Sequence, residues 1–353
     1  MASTIKVDTV TTPDGTGNIT FNRPIVADGS NLTNLPAEIT KSSSEPTATT
    51  NPSSGVGTLW LRTTTGEMYC CTDATTNDNV WTNIGDGTGL QPETFPVATG
   101  GTITTDGSYK VHTFNSSGTF AVSSIGTIRD VEYLAIAGGG GGENGGGGAG
   151  GYLTATGLSI TAQSYSVTVG AGGARDSAGA NSIFSSITAT GGGQGGNYSD
   201  AGSTGGSGGG GGWNTLNVVM SGGSATASPS QGNAGGNSSG TGYANGGGGG
   251  GAGGIGVNGH ATNGAGGTGG AGLSSSITGS AVLRGGGGGG GVETSTTQST
   301  ASHGGGAGGQ GTTGNNAAGT ANTGGGGGGG GHSTHVGKAG GSGVVIIRYQ
   351  FQA

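Results

Sequence analysis

VEYLAIAGGGGGENGGGGAGGYL, residues 131–153, is the stretch in which the chain changes character. Its first seven residues are mostly apolar, which predicts a strand buried on both faces. From Gly138 onward the last 216 residues hold 80 of the 94 glycines, whereas glycine makes up about 7% of ordinary proteins. The main change in organisation is therefore expected near residue 137.

The glycine runs are predicted to be ordered, although a flexible linker is the other reading of this composition. Ordering one residue costs about 1–2 kcal/mol, so a dense hydrogen-bond network must compensate. Polyglycine has an extended form with three residues per turn, in which every N–H is free to bond a neighbouring run. The main runs are 138–142, 145–148, 191–193, 208–212, 246–251, 285–291 and 324–331.

The last residues of the chain support an ordered stack. GVVIIRYQF at 343–351 is strongly apolar, so we expect the runs to lead the chain back to the strand at 131–137. Alternate side chains of a strand lie on one face. The residues expected to share an apolar face are Val345, Ile347, Tyr349 and Phe351.

The predicted fold class is all-β plus stacked polyglycine II helices, with essentially no α-helix. YSVTV at 165–169 alternates as a strand does, and LSSSITGSAVLR at 273–284 reads as a structural strand. Five segments are expected: an N-terminal β attachment segment at 1–40, a linker at 41–57, a small β meander at 58–90, β strands at 91–137 and the glycine-rich domain at 138–353.

The meander has too few residues to be stable alone, so it must pack on a neighbour or self-associate. Its aromatic residues Trp60, Tyr69 and Trp81 are expected to form a small core, with sugar binding as the other reading. Cys70 and Cys71 are adjacent, and successive side chains of a strand point to opposite faces. Both cysteines are expected to be reduced.

Several function classes are excluded by composition. The net charge of −7 and the pI near 5.0 argue against nucleic acid, which needs a basic surface. No apolar stretch is long enough for membrane insertion, and MASTIKVDTV at 1–10 lacks the pattern of a secretory signal. A soluble protein synthesised in a cytoplasm is expected.

Many GxGxxG matches occur, but none has the strand–turn–helix context of a nucleotide site. Four scattered carboxylates do not make a glycosidase pair, so no enzyme and no cofactor are predicted.

The order of motifs over roughly residues 110–353 resembles the glycine-rich domain of phage tail-fibre and adhesin proteins. The motifs are the stretch at 131–153, YSVTVGAGG at 165–173, SSITATGGGQGG at 185–196 and GGSGVVIIRY at 340–349. MASTIKVDTV and TLWLRTTTGEMY at 58–69 are similar to pieces of fibre-like proteins of marine and cyanobacterial phages. The domain also resembles the polyglycine sandwich tip of T-even-like phage adhesins, although this chain carries its own N-terminal β region.

The resemblance implies a virion tail fibre that binds a host surface receptor, either a glycan or an outer-membrane protein. Attachment to other tail proteins through the N-terminus is implied too. Because short N-terminal strands bury little surface, intertwining is expected, and a homotrimer is predicted. The other readings are a purely structural virion protein, such as a fibre adaptor or capsid decoration, and ice binding, which needs more regular repeats than these connectors offer.

Receptor binding is expected in the connectors between glycine runs, because loops on a rigid scaffold are suited to recognition. Trp213 has two open readings, a receptor contact or a cap on the end of the stack. His332 and His335 would ligate a metal only on a trimer axis, and an exposed loop without metal is expected. The candidate residues are Tyr198, Trp213, Asn214, Met220, Tyr243, His260, Glu293, His303, His332 and His335.

Overall fold

The computed structural model describes residues 39–52, 54–84, 95–215, 217–240, 244–261, 264–293, 297–311, 314–331 and 336–352. Within these ranges the protein is all-β, as predicted, and contains no helix. No segment among them qualifies as a helix able to cross a membrane. The chain divides into two compact units, Met1–Pro92 and Glu93–Ala353, so the change of composition at residue 137 lies within the second unit.

The first unit contains one four-stranded sheet in the order β1-β2-β3-β4. Strand β1 pairs in parallel with β2, and the other pairs are antiparallel. The start of the predicted linker belongs to β1, while most of the predicted attachment segment, residues 1–38, lies outside the described residues. The four strands are β1 (Ile39–Ser42), β2 (Leu59–Arg62), β3 (Met68–Asp73) and β4 (Val80–Asn83).

The aromatic residues of this sheet pack as a small core. Trp60 and Trp81 meet edge to face with ring centroids 5.7 Å apart, and Tyr69 is buried. The Trp60 indole donates to the Ser44 carbonyl at 3.0 Å, and the Trp81 indole donates to the Thr50 carbonyl at 3.1 Å. The segment between β1 and β2 therefore covers this face. Both cysteines are free thiols.

The second unit contains two five-stranded antiparallel sheets, in the orders β10-β9-β16-β7-β6 and β13-β12-β11-β8-β5. Strands β14 and β15 form a separate two-stranded antiparallel sheet. The strands are β5 (Val97–Thr99), β6 (Thr102–Asp106), β7 (Tyr109–Phe114), β8 (Gly118–Ser124), β9 (Asp130–Ile136), β10 (Tyr152–Ser159), β11 (Ser164–Thr168), β12 (Ser182–Phe184), β13 (Ile187–Ala189), β14 (Leu273–Ser275), β15 (Val282–Arg284) and β16 (Val344–Gln350).

The two sheets pack face to face around one apolar core. The return of the chain that the sequence required is confirmed, since Val344 of β16 pairs with Ile136 of β9. Val345, Ile347 and Tyr349 point into the core between the sheets, with Phe351 at its margin. The predicted shared face of the last strand is therefore confirmed.

The other face of the β9–β16 sheet is also covered, which explains why both strands are mostly apolar. Leu134, Ile136 and Ile346 form a second buried cluster there, together with Ile277 from the β14–β15 connection. The segment 273–284 thus serves as a structural hairpin that packs on the sheet. Burial on two faces is what the nearly continuous apolar run at 131–137 predicts.

The glycine runs bond to each other through their backbones with a period of three residues. In the run 145–151, Gly145 donates to the Gly196 carbonyl at 2.9 Å. Three residues later, Gly148 donates to the Gly193 carbonyl at 2.8 Å. The order predicted for the glycine runs is therefore confirmed in the described residues. The threefold polyglycine II helix, which would give this period, stays a prediction.

The run 145–151 bonds to six neighbouring runs at once. Its N–H groups donate to three runs, and its carbonyls accept from three others. At the glycine positions of this run a side chain would block the approach: a Cβ on Gly147 would lie 2.1 Å from the Gly140 carbonyl oxygen. The six runs are 190–196, 246–251, 324–331, 138–142, 207–212 and 286–291.

Candidate functional site

The hydrogen-bond register gives every glycine run a direction. The run 145–151 is antiparallel to 190–196, because Gly145 bonds to Gly196 while Gly151 bonds to Thr190. Gly151 and Thr190 lie next to strands β10 and β13. We call this the proximal end of the stack. The opposite end, which includes Glu143 and Asn144, is the distal end.

Asn144 marks the distal end, and the connectors with most candidate residues lie near it. The Asn144 N–H donates to the Gly196 carbonyl at 3.1 Å, just before the connector that holds Tyr198. The Asn144 carbonyl accepts from Gly291, just before Glu293. Two connectors that are far apart in sequence therefore leave the stack side by side.

Further connectors join this end through backbone contacts. Ser199 donates to the Trp213 carbonyl at 3.3 Å, and Glu293 donates to the Ala244 carbonyl at 3.1 Å. The Asn245 side chain donates to the His260 carbonyl at 2.6 Å. The distal end therefore gathers Tyr198, Trp213, Asn214, Met220, His260 and Glu293, all of which were selected from the sequence.

One candidate lies elsewhere, and three are outside the described residues. His303 is at the proximal end, where its Nδ1 accepts a hydrogen bond from the Gly272 N–H at 3.0 Å, one residue before β14. This histidine supports a turn and is separated from the distal connectors by the length of the stack. The candidates outside the described residues are Tyr243, His332 and His335.

Trp213 is buried, with 5% of its surface exposed. Its ring meets Tyr198 edge to face at a centroid distance of 5.7 Å, and Tyr198 is 46% exposed. The Tyr198 hydroxyl lies 2.6 Å from the Thr215 hydroxyl. Of the two readings that the sequence left open, this geometry favours the cap on the stack for Trp213, while Tyr198 presents its ring to solvent.

The connector after Trp213 is held in shape by Asn214, which is also buried. The Asn214 amide donates to the Val218 carbonyl at 2.8 Å, and its oxygen accepts from the Val218 N–H at 3.4 Å. Val218 and Val219 are about half exposed. Neither valine was among the candidate residues selected from the sequence. The sequence pattern of a connector does not distinguish a buried valine from an exposed one.

Met220 begins the run that returns from this connector. It is half-buried, and its N–H donates to the Ser238 hydroxyl at 2.8 Å. The Ser238 N–H in turn donates to the Met220 carbonyl at 2.9 Å. The backbone of Met220 therefore ties two distal connectors together.

Glu143 and Arg175 form an ion pair at the distal end that the sequence did not indicate. The Glu143 side chain is buried, and the Arg175 Nη2 donates to its Oε1 at 2.5 Å, with a second bond from Nε to Oε2. This bond raises the pKa of Arg175. A bidentate pair of this kind fixes both geometry and charge, so the two connectors that carry it are held together.

The described residues contain no cluster of three or more His, Cys, Asp or Glu side chains suited to hold a metal ion. The distal end instead offers an exposed aromatic ring, aliphatic side chains and amides on a rigid base. Such a surface can bind another molecule by contact and hydrogen bonding, as loops on rigid scaffolds do.

Residues 114–350, about two-thirds of the chain, match the family described as a glycine-rich domain. No curated protein matches the chain.

Proposed function

The chain belongs to the glycine-rich domain family, and we propose that it is a non-enzymatic tail-fibre or adhesin subunit of a phage virion. In this proposal the distal connectors bind the host cell surface. The observation that supports it most is the gathering of Tyr198, His260 and Glu293 at one end of the glycine stack, next to the buried Trp213.

The stack suits this role because it is rigid and offers few side chains of its own. Each run is bonded laterally to its neighbours, so a connector at the distal end loses little further freedom when it binds. Preorganisation of this kind favours affinity. We propose further that the runs are polyglycine II helices, the form whose three residues per turn match the bonding period.

The proposal places the protein in the virion after synthesis in the host cytoplasm. The N-terminal segment 1–40 would attach to other tail proteins, and the subunit would assemble as a homotrimer. The receptor would be a glycan or an outer-membrane protein. These parts rest on the resemblance of the sequence to phage fibre proteins.

Competition for adsorption tests the proposal. Purified protein is incubated with cells of the bacterium that the encoding phage infects, and adsorption of that phage is measured. Wild-type protein is expected to block adsorption. Val218→Ser with Val219→Ser is expected to reduce the block about tenfold or more, as loss of a small apolar contact does. The matched control is Val97→Ser on β5, which is also about half exposed and should block as wild type does.

The same experiment decides between this proposal and a purely structural role. A structural fibre adaptor or capsid decoration would not block adsorption at any concentration. Equal loss of activity in the Val97→Ser control would show that surface valines act through solubility and not through a distal contact.

A further inference from the structure

A groove runs beside strand β10, at one edge of the sheet β10-β9-β16-β7-β6. Because β10 is the last strand of that sheet, one of its two sides has no neighbouring strand. The groove has a volume of about 610 Å³, within the range of ligand-binding pockets. It is formed near the proximal end of the stack and shares no residue with the distal connectors.

The groove is reached from both faces of β10. Leu153 lies on the face that packs against the core between the sheets, whereas Tyr152 lies on the opposite face, in the outer cluster. Both residues line the groove. Since successive side chains of a strand point to opposite faces, one cavity that touches both must extend along the free edge of the strand. A ligand in the groove would therefore meet the backbone of β10.

The hydrogen-bond register directs backbone groups of β10 into this space. Next to β10, the Ala137 N–H donates to the Gly151 carbonyl at 3.0 Å, so these two residues form a hydrogen-bonded pair. Such pairs alternate with non-hydrogen-bonded pairs in an antiparallel ladder. Tyr152 and Thr154 therefore turn their N–H and C=O groups away from β9. Among the described residues, the backbone of Thr154 has no hydrogen-bond partner on that side.

Gln231 forms the first bond of a further ladder on this edge. Its backbone carbonyl accepts from the Tyr152 N–H at 2.9 Å, and it follows Ser230, which lines the groove. Its side-chain oxygen accepts from the Thr190 N–H at 2.7 Å, which fixes its position. Thr154 is the next residue of β10 with free backbone groups. A chain segment in the groove would therefore continue a pairing that Gln231 begins.

The walls and the charge of the groove indicate what kind of segment fits. Beyond the edge of β10 the groove is bounded by Ser186 and Thr188 of the other sheet and by Pro229. These walls favour a single extended segment over the edge of a second sheet, which would have to displace them. The lining contains no Asp, Glu, Lys or Arg side chain, so an uncharged segment matches it.

We propose that the groove beside β10 binds an extended, uncharged segment of another protein, which adds to the sheet as a further strand. Its backbone bonds to Thr154, and its alternate side chains contact Leu153 and Ile187 on one face and Tyr152 on the other. Strand addition of this kind takes affinity from main-chain hydrogen bonds and specificity from pockets for alternate side chains. Because the groove is separate from the distal connectors, this proposal stands or falls independently of host adsorption.

Fluorescence polarisation of the full-length protein with a labelled peptide tests the site. The probe is a short peptide of alternating threonine and valine, capped at both ends. Wild-type protein is expected to bind it. Only alternate N–H groups of an added strand face β10, so N-methylation of one residue type should weaken binding about tenfold or more through lost hydrogen bonds. N-methylation of the other residue type is the matched control and should change the affinity little.

A proline on the edge strand tests the same contact from the protein side. Thr154→Pro removes the free N–H, and proline is tolerated where the N–H of an edge strand faces solvent. This variant should bind the probe about tenfold more weakly or less. The control is Thr105→Pro on β6, the other edge of the sheet. Thr105 is exposed and precedes Asp106, which closes the turn to β7, so its N–H also faces away from the ladder.

Three outcomes would overturn the proposal. The first is that wild type does not bind the probe, and the second is that N-methylation of either residue type weakens binding equally. Both are measured on wild-type protein, so they do not depend on the folding of a variant. The third concerns a second copy as the occupant: light scattering would then show a mass for wild type that Thr154→Pro lowers and Thr105→Pro does not.

Discussion

His112 is the most deeply buried titratable group among the residues that pack between the two sheets. It is fully buried, its Nδ1 lies 2.7 Å from the Gly100 carbonyl oxygen, and its Nε2 lies 3.3 Å from the Tyr349 hydroxyl. Because a carbonyl only accepts, Nδ1 must donate and Nε2 must accept from the tyrosine. The Tyr349 oxygen accepts in turn from the Ala98 N–H at 3.2 Å. Strands β5, β7 and β16 are thus joined through one neutral imidazole.

The burial of His112 predicts a loss of stability in acid. Desolvation lowers the pKa of His112 below its ordinary value of 6.5, against the opposing effect of the Gly100 hydrogen bond. Below pH 6.5 His112 is therefore protonated in the unfolded chain but stays neutral in the folded protein. The free energy of unfolding falls as the pH falls. The contribution is at most about 1.4 kcal/mol per pH unit. Above pH 6.5 the contribution of His112 to the free energy of unfolding no longer changes with pH.

Urea unfolding at pH 7.5, 6.5 and 5.5 measures this effect, with His112→Gln as the comparison. The variant should be less stable than wild type at pH 7.5, because it repacks a buried ring. Its free energy of unfolding should then depend less on pH between 6.5 and 5.5. Parallel pH profiles for the two proteins would contradict a neutral His112 in the folded state.

The side chains of the connector at 213–219 have different roles, which their residue types alone do not reveal. The sequence alone predicts that replacement of Trp213 and Met220 by alanine abolishes adsorption and leaves the fold intact. The structure leads to a different prediction for the fold, because Trp213 is only 5% exposed and its replacement would remove a buried ring. The exposed side chains of the connector are Val218 and Val219, and those of its neighbour include Tyr198.

Two substitutions measure the division of roles in this connector. Trp213→Ala should lower the free energy of unfolding of the second unit by about 3–5 kcal/mol, as loss of a buried aromatic ring does. Tyr198→Ser should cost only about 1–2 kcal/mol, since it loses one edge-to-face contact and one exposed hydrogen bond to Thr215. Thermal unfolding followed by circular dichroism gives both values. Equal stability of Trp213→Ala and wild type would show that the ring does not cap the stack.

The sequence predicted well those elements whose environment is encoded locally. Strand β9 was recognisable because a nearly continuous apolar run is typical of a strand buried on two faces. Strand β16 was recognisable because its alternate residues share one apolar face. The ordering of the glycine runs followed from the return of the chain to β9. Burial of Trp213 was not predictable, because a tryptophan flanked by glycine and asparagine has the same local pattern at a surface as in an interior.

At the scale of the whole molecule, the second unit combines two kinds of order. The sandwich is stabilised by apolar side chains, whereas the stack is stabilised by backbone hydrogen bonds at glycines that have no room for a Cβ. The directions of the runs follow from their mutual register, which no single run contains in its sequence. The position of the candidate residues at the distal end therefore depends on how the runs assemble and could not be read from any one run.

The period of three makes the stack intolerant of a change in run length. One glycine inserted after Gly147 rotates the following residues by about a third of a turn. Gly148 would then face away from Gly193, its present acceptor, and the later residues of the run would lose their partners in the same way. The full-length variant is expected to lose cooperative thermal unfolding of the second unit.

An insertion in a distal connector is the matched control for this change. One glycine inserted after Asn217, which is exposed and already has a positive φ of 56°, leaves every run in register. Lengthening a surface loop costs about 0.6 kcal/mol per doubling of its length, so the melting temperature should fall by only a few degrees. Circular dichroism of the two insertion variants gives the comparison. If both insertion variants unfold at similar temperatures, the lateral hydrogen bonds of the run 145–151 do not stabilise the stack. That outcome would contradict the rigid base on which the proposed receptor binding depends.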